Sequence, residues 1–127
     1  MHYIGMDCHI TTLDFAVVNK AGRLVKAHKV ATSVSGFMGF VKTVPTPRTI
    51  YVEEGTLAAW ALETCVRFGE KLVITDAKKN LCIGSSGQKD DSIDALKLAQ
   101  LARGGYIKEI HHPVGQRRRF RELMIAY

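Results

Sequence analysis

Cysteine is scarce in this sequence and long apolar runs are missing, and each shortage excludes a class of protein. Three cysteines (Cys8, Cys65 and Cys82) are widely spaced and form no C-x-x-C pair, which argues against a disulfide framework and a structural zinc site. No apolar run approaches the ~20 residues that span a bilayer, and the N-terminus lacks the basic start and apolar core of an export signal. We therefore expect a cytoplasmic protein without a membrane partner.

Chain length and net charge further restrict the classes of protein to which the sequence can belong. The 127 residues suffice for one well-buried domain and are too few for two ordinary ones. The net charge of +6 favours a polyanionic partner. Arginines crowd the last eleven residues, at Arg117, Arg118, Arg119 and Arg121. A basic end beside an acidic centre is what an enzyme acting on phosphodiesters needs, because cations hold the backbone and carboxylates hold metal.

Strand and helix signals alternate along the chain in an order that predicts a mixed sheet with helices on its faces. The expected elements are strands at 3–8, 13–19 and 23–30, a helix capped by Ser33 or Ser35, a strand at 49–52, a helix at about 57–68, a strand at 71–76, a helix from Asp90 or Asp91 to about Arg103, and an edge strand at 106–111. The principal order, β-β-β-α-β-α-β-α, is a meander followed by a βαβα crossover. It is the order of the ribonuclease H-like class.

Two acidic positions follow predicted strands directly. Asp7 ends the first strand, on the side of Tyr3 and Gly5, and a carboxylate there is costly unless it is solvated, paired or bound to metal. Glu53 and Glu54 follow the TIYV strand and point to opposite faces, so at most one of them can join a given site. Each position also has a structural explanation, as a solvated strand end or as an acceptor at the following helix start.

A third acidic position begins the late helix. Asp91 and Asp94 are spaced i and i+3, on one face of the predicted helix and in line with its apolar seam. Asp91 is also a natural N-cap with Asp94 at the third helical position, although Asp90 serves equally well as the cap. Clustered carboxylates repel one another unless a cation compensates. An oxygen-rich site of this kind suits Mg²⁺ or Mn²⁺.

These stretches carry a family resemblance that spans nearly the whole chain. YIGMDCHITTLDFAVVNKAGRLV, YVEEGTLAAW, KLVITDAKKN, KDDSIDALKLAQLARGG and HHPVGQRRRFREL resemble the N-terminal domain of the DEDD-motif transposases of bacterial insertion sequences, which include the pilin-gene-inverting recombinases. The resemblance implies a RuvC-like fold and metal-dependent DNA cleavage and strand transfer. By motif, the catalytic, metal-holding acids would be Asp7, Glu53 (with Glu54 as the alternate), Asp91 and Asp94.

The resemblance also carries expectations about partners and domains. DNA is the expected substrate in a bacterial, nucleoid-associated setting, some relatives use a structured guide RNA, and the full-length protein is expected to be a homo-oligomer. Family members carry a second domain with a serine proposed to attack DNA. Residues 1–112 are therefore expected to be the RuvC-like domain and residues 113–127 the start of a basic helix leading to a missing C-terminal region. Such a fragment need not be active alone.

Cations and one histidine near the predicted site are weaker candidates. Lys78, Lys79 and the arginine cluster at 117–121 are the expected contacts to nucleic acid, although solvated lysines and arginines are common. His9 lies beside Asp7, where a histidine in a turn is the simpler interpretation. Trp60 is expected in the core.

Two other functions compete with the transposase interpretation. A sugar-kinase or actin-like ATPase fragment shares the core fold, but it needs a glycine-rich turn after the first acid, and residues 8–12 contain no glycine. A non-catalytic nucleic-acid-binding module on the same fold would keep the basic surface and lose the metal. Metal-dependent stabilisation separates this module from the enzyme.

Overall fold

The computed structural model describes residues 1–76, 94–107 and 109–110. Within these ranges the elements are β1 (His2–Cys8), β2 (Thr12–Asn19), β3 (Leu24–Ala31), α1 (Val34–Val41), β4 (Arg48–Glu53), α2 (Ala58–Phe68), β5 (Leu72–Thr75) and α3 (Ala95–Arg103). The predicted mixed sheet is confirmed. None of the helices in the described ranges has the length and hydropathy needed to cross a membrane.

Five strands form one sheet in the order β3-β2-β1-β4-β5. The first three strands form the predicted antiparallel meander, and β1 then pairs in parallel with β4, as β4 does with β5. β1 is therefore the central strand, with an antiparallel neighbour on one side and a parallel neighbour on the other. The carboxyl end of β1 lies beside the start of β2 and the end of β4.

One face of the sheet carries the main core. Ile4 and Met6 of β1 are fully buried there, in one cluster with Phe37 of α1 and Cys65 of α2. Trp60 packs against this cluster, and its ring lies 5.6 Å from that of Phe37, as predicted. The spacing of apolar residues in α1 and α2 places one face of each helix on the sheet, so these two helices cover the same side.

The opposite face is covered by α3, which crosses β1 at Gly5. A Cβ atom at Gly5 would lie 2.0 Å from the backbone oxygen of Ala95 and 2.9 Å from the backbone nitrogen of Ala99. Only glycine permits so close an approach. Leu98 is fully buried against Tyr51 of β4. Because Gly5 and Asp7 share a strand face, the start of α3 is held near the end of β1.

Helix boundaries follow local chemistry. Ser33 rather than Ser35 caps α1, because its hydroxyl accepts a hydrogen bond from the Gly36 N–H at 3.0 Å. Gly69 ends α2 in the left-handed conformation (φ 72°), as predicted.

Two boundary predictions were wrong. The late helix begins at Ala95, and Asp94 is its N-cap with extended backbone (φ −70°, ψ 165°), so Asp94 does not occupy the third helical position. The predicted edge strand at 106–111 appears, in its described residues, as an isolated antiparallel bridge between Thr75 and Glu109.

Candidate metal centre

Asp7 and Asp14 face each other across the β1–β2 ladder. They are direct partners in the antiparallel register. The neighbours of Asp14 in β2, Leu13 and Phe15, belong to the core on the far face, so alternation places Asp14 on the same face as Asp7. The side chains are 20% and 34% exposed, respectively. Two carboxylates therefore lie together at the end of the central strand, accessible to solvent.

His9 contacts both of these carboxylates. Its Nε2 atom lies 3.2 Å from Oδ2 of Asp7 and 3.6 Å from Oδ2 of Asp14. The turn that carries His9 is fixed by a hydrogen bond from its N–H to the Thr12 carbonyl oxygen, while its own carbonyl oxygen accepts from the Thr32 hydroxyl at 2.7 Å. One ligand atom from each of the three residues lies within 4.8 Å of the others. That spacing allows one cation to contact all three.

Asp94, the N-cap of α3, adds a further negative charge from the helix that covers this face of the sheet. Its Oδ1 atom accepts a hydrogen bond from the Lys97 N–H at 2.8 Å and so caps α3. The charge of Asp94 is the smallest of the influences that raise the pKa of Asp7, and Asp94 is not one of the three residues whose ligand atoms lie within 4.8 Å of one another. The approach of α3 to Gly5 is the structural reason that this charge acts on Asp7.

The pKa of Asp7 is raised above its ordinary value, chiefly because burial desolvates the charged form. His9 opposes that rise by its charge and its hydrogen bond, whereas the charges of Asp14 and Asp94 add to it. A cation among these groups would offset both the desolvation and the repulsion.

The register of β4 distinguishes the two adjacent glutamates. Met6 of β1 pairs with Val52 of β4, and extending this parallel register by one residue brings Glu53 beside Asp7 on the same face. Glu54 follows the end of β4 and is exposed. Both glutamates make interactions in the structure, so neither is an isolated charge. The assignment of Glu53 as the second acid stays a prediction.

A buried hydroxyl lies next to this position. Thr75 of β5 pairs with Glu53, is 0% exposed, and its Oγ1 atom has no hydrogen-bond partner among the described residues. Since paired residues of parallel strands share a face, Thr75 belongs to the Asp7 side of the sheet. A buried hydroxyl without a partner is costly.

The donor set therefore fits a divalent cation. Asp7 and Asp14 offer carboxylate oxygens, which suit Mg²⁺ and Mn²⁺, and His9 offers a nitrogen, which Mn²⁺ tolerates better than Mg²⁺. Glu53 and Asp94 lie outside this group of three. These residues come together because the ends of β1 and β4, the β1–β2 hairpin and the start of α3 meet on one side of Gly5.

Several predicted site residues lie outside the described ranges. They are Asp91, Lys78, Lys79, Arg117, Arg118, Arg119 and Arg121. Their roles stay predictions from the sequence.

Sequence reasoning missed Asp14 and underrated His9. Asp14 lies within a strand pattern whose alternation alone does not distinguish a site residue from a solvated one. A tight hairpin centred on residues 9–12 would have paired position 7 with position 14, so the signal was the short distance between the two strand patterns. His9 is a turn residue, as predicted, and it also contacts both acids.

Solved structures that share this architecture include two of RuvC, whereas no family model and no curated protein matches the sequence. RuvC of Thermus thermophilus superposes with a TM-score of 0.53 at 20% identity, covering 87% of this chain and 100% of that chain. T. thermophilus RuvC in complex with a Holliday junction substrate superposes with a TM-score of 0.50 at 21% identity, covering 87% and 99%, respectively. The fold is RuvC-like.

The RuvC-like fold agrees with the ribonuclease H-like class predicted from the order of elements. At this level of identity the likeness concerns the fold alone.

Proposed function

We propose that the RuvC-like domain is the catalytic domain of a DNA transposase or recombinase that cleaves and transfers DNA strands with the help of divalent metal ions. The observation that carries the proposal is the group formed by Asp7, His9 and Asp14 at the end of the central strand, where one ligand atom from each residue lies within 4.8 Å of the others. The start of α3, which Asp94 caps, packs on Gly5 of the same strand. Strand cleavage with Mg²⁺ or Mn²⁺ requires such a cluster of oxygen ligands.

In this proposal Asp7, Glu53, Asp91 and Asp94 hold the metal, as the DEDD resemblance implies. Divalent ions at such a site activate an attacking water or hydroxyl group and stabilise the leaving oxygen. The protein itself contributes placement. The central strand β1 fixes Asp7, the contact at Gly5 fixes the start of α3 and with it Asp94, and the His9 contact restrains the Asp7 carboxylate.

Asp14 and His9 enlarge this site beyond the four-acid motif. Asp14 lies opposite Asp7 and brings a carboxylate that the motif does not include. His9 approaches both Asp7 and Asp14, so its imidazole orients them or contributes a nitrogen ligand. The partner of the domain in this proposal is DNA. A guide RNA and a homo-oligomeric full-length protein remain expectations that follow from the resemblance.

The adjacent glutamates provide a matched test. Glu53→Gln and Glu54→Gln remove the same charge from the last residue of β4 and from the exposed residue that follows it. Each purified variant is incubated with a labelled four-way junction or a linear duplex in Mg²⁺, in Mn²⁺ or in EDTA, and cleavage is followed on a denaturing gel. The wild type is expected to cleave DNA only with metal. Glu53→Gln should lose at least about tenfold in cleavage rate, as expected when one catalytic contribution worth roughly 1.4 kcal/mol is removed. Glu54→Gln should keep the wild-type rate.

The junction is included because one of the RuvC structures holds a Holliday junction substrate. Equal rates for the two variants would contradict the assignment of Glu53. No metal-dependent cleavage by the wild type, with DNA binding retained, would favour the non-catalytic nucleic-acid-binding module.

A further inference from the structure

Acidic residues are absent from a long internal stretch of the sequence. From Phe15 to Val52 the chain contains no Asp or Glu in 38 residues, while it carries six cations: Lys20, Arg23, Lys26, Lys29, Lys42 and Arg48. Lys42 and Arg48 both contact Glu70. The other four lie on β3 or on the turn that precedes it.

β3 is the uncovered edge of the described sheet. It stands first in the strand order, and every residue from Leu24 to Lys29 is exposed. At the opposite edge, by contrast, the Thr75–Glu109 bridge places another chain segment against β5. The β3 edge, defined here as Lys20, Arg23 and Lys29 together with Arg103, therefore presents a row of positive charge. Lys26 is not part of it, because its Nζ atom donates to the Thr43 hydroxyl at 2.7 Å and lies over the Phe40 ring, on the side of the sheet that α1 covers.

The turn at one end of this row is rigidly held. The Asn19 side-chain oxygen accepts hydrogen bonds from the N–H groups of Ala21 and Arg23, each at 3.0 Å. Gln100 of α3 donates to the Gly22 carbonyl oxygen at 3.0 Å. The Arg103 guanidinium packs against Gly22 and donates to the Lys20 carbonyl oxygen at 3.3 Å. The turn is thus bound to α3 and brings three cations together.

These three cations have no carboxylate to neutralise them. In the part of the chain that the structure describes, Lys20, Arg23 and Arg103 form no ion pair with Asp or Glu. Lysines on an exposed strand commonly prevent edge-to-edge pairing. That protective role requires charge on the strand itself. It does not explain why the turn before β3 is held in place or why Arg103 of α3 packs against it.

The row leads to the metal centre. From Arg23 to Lys29 the strand rises about 20 Å, at roughly 3.3 Å per residue. Lys29 pairs with Asp14, and Asp14 pairs with Asp7, so the backbone at Lys29 lies two strand spacings, or about 10 Å, from that of Asp7. The Lys29 Nζ atom lies 3.6 Å from Oδ1 of Asp14. Positive charge therefore lies at the turn that precedes β3 and again at the edge of the acidic site.

We infer that the β3 edge binds the phosphate backbone of duplex DNA and guides it toward the metal centre. The inference rests on the proposed function, since it names the surface that would hold the substrate of that site. Charge complementarity selects this occupant. A backbone with one phosphate per 3.4 Å of each strand presents about six phosphates along 20 Å, enough to meet every cation of the row. A β-strand partner would satisfy the edge's N–H and C=O groups and leave the three turn cations uncompensated.

The test compares two double variants of the full chain with matched composition. Lys20→Gln with Arg23→Gln removes one lysine and one arginine from the β3 edge. Arg67→Gln with Lys71→Gln removes the same pair of residue types from exposed positions at the end of α2 and before β5, near the far edge. Binding of a labelled duplex of about 30 base pairs is measured by fluorescence anisotropy in EDTA over about 50 to 200 mM salt. Thermal melts establish that all proteins are folded.

The edge variant is expected to bind more weakly and to lose about two units of the slope of log Kobs against log salt, because each neutralised phosphate contributes about 0.9. The control variant should keep the wild-type slope. Equal slopes for wild type and edge variant would overturn the inference, as would equal losses in both variants or no DNA binding by the folded wild type.

The use of EDTA separates this result from the proposed chemistry. An edge-dependent salt slope in a protein that never cleaves DNA would overturn the proposed function and leave the binding surface standing. Metal-dependent cleavage together with an edge-independent slope would overturn the binding surface alone.

Discussion

The backbone oxygen of Ala95 lies 2.0 Å from where a Cβ atom of Gly5 would stand. This contact between the central strand and the first residue of α3 is the closest approach at any described glycine, and it fixes the position of Asp94 one residue earlier. The proposed metal centre therefore depends on the lack of a side chain at Gly5 as well as on the acids themselves.

Gly5→Ala is expected to destabilise the domain by about 1–3 kcal/mol or more, because an added methyl group must push α3 away from β1. The helical Gly39 is the matched control, since a Cβ there would meet nothing within 4 Å. Gly39→Ala should instead stabilise the domain by about 0.5–1 kcal/mol through its helix propensity. Urea unfolding measures both changes, and a neutral Gly5→Ala would contradict the close packing.

The elements themselves were predictable because their signals are local. The NKAG turn separates two strand patterns, a serine at 33 or 35 caps α1 and Gly69 stops α2, and each of these is readable from a few neighbouring residues. The face of β1 on which Asp7 lies followed from alternation, whereas the choice of Ser33 and the central place of β1 came from the structure.

What could not be predicted depends on contacts between distant residues. The role of Asp14 requires the exact pairing of β1 with β2, and the start of α3 at Ala95 depends on which of several aspartates caps the helix. The sequence DDSID offers four candidate caps, three aspartates and one serine, and propensity does not choose among them. The contact at Gly5 joins positions 90 apart, and no local pattern announces it.

Asp94 has a structural role and a proposed metal role that substitution can separate. Asp94→Asn keeps a side-chain oxygen that accepts from the Lys97 N–H, so stability in EDTA should change by no more than a few tenths of a kcal/mol, whereas Asp94→Ala loses the cap and about 1 kcal/mol. Both variants should lose metal-dependent cleavage. Equal stability of the two in urea unfolding would contradict the capping geometry, and full activity of Asp94→Asn would contradict the metal role.

Glu70 joins the end of α2 to β4 and should confer pH-dependent stability. Arg48 donates from Nε to Glu70 Oε1 at 3.0 Å, and this bonding, followed by the charge of Arg48, lowers the pKa of Glu70. A carboxylate with a lowered folded pKa stabilises the native state above its ordinary pKa of 4.5, and that stability is lost as the pH falls through the folded value. Glu70→Gln should therefore cost about 1–3 kcal/mol at neutral pH.

The cost should shrink toward zero as the pH is lowered below about 4, which urea unfolding at several pH values will show. Lys42 is the comparison, because it also approaches Glu70 but at 3.8 Å and with a side chain 56% exposed. Lys42→Gln should cost no more than about 1 kcal/mol. A cost of Glu70→Gln that is independent of pH would exclude the ion pair as its source.

In the absence of bound metal, the ionised carboxylate of Asp7 is expected to destabilise the folded domain. Its pKa is raised in the folded state, chiefly by burial, from an ordinary value of 3.8. The folded protein therefore binds the proton more tightly than the unfolded chain does, and stability falls as the pH rises from the ordinary pKa through the raised one. At neutral pH in EDTA, Asp7→Asn should melt a few degrees above the wild type, and the difference should vanish near pH 3.

Divalent metal should reverse the order of melting temperatures, so that the wild type melts above Asp7→Asn. A cation that binds only the folded wild type adds about 2.7 kcal/mol at a concentration a hundredfold above its Kd, while Asp7→Asn, which lacks one ligand charge, should gain little. Melting of both proteins with Mn²⁺, with Mg²⁺ and in EDTA tests the reversal, and Glu54→Gln should respond to metal as the wild type does. If the wild type melts at one temperature in all three conditions, the acids at the end of β1 do not form a metal centre.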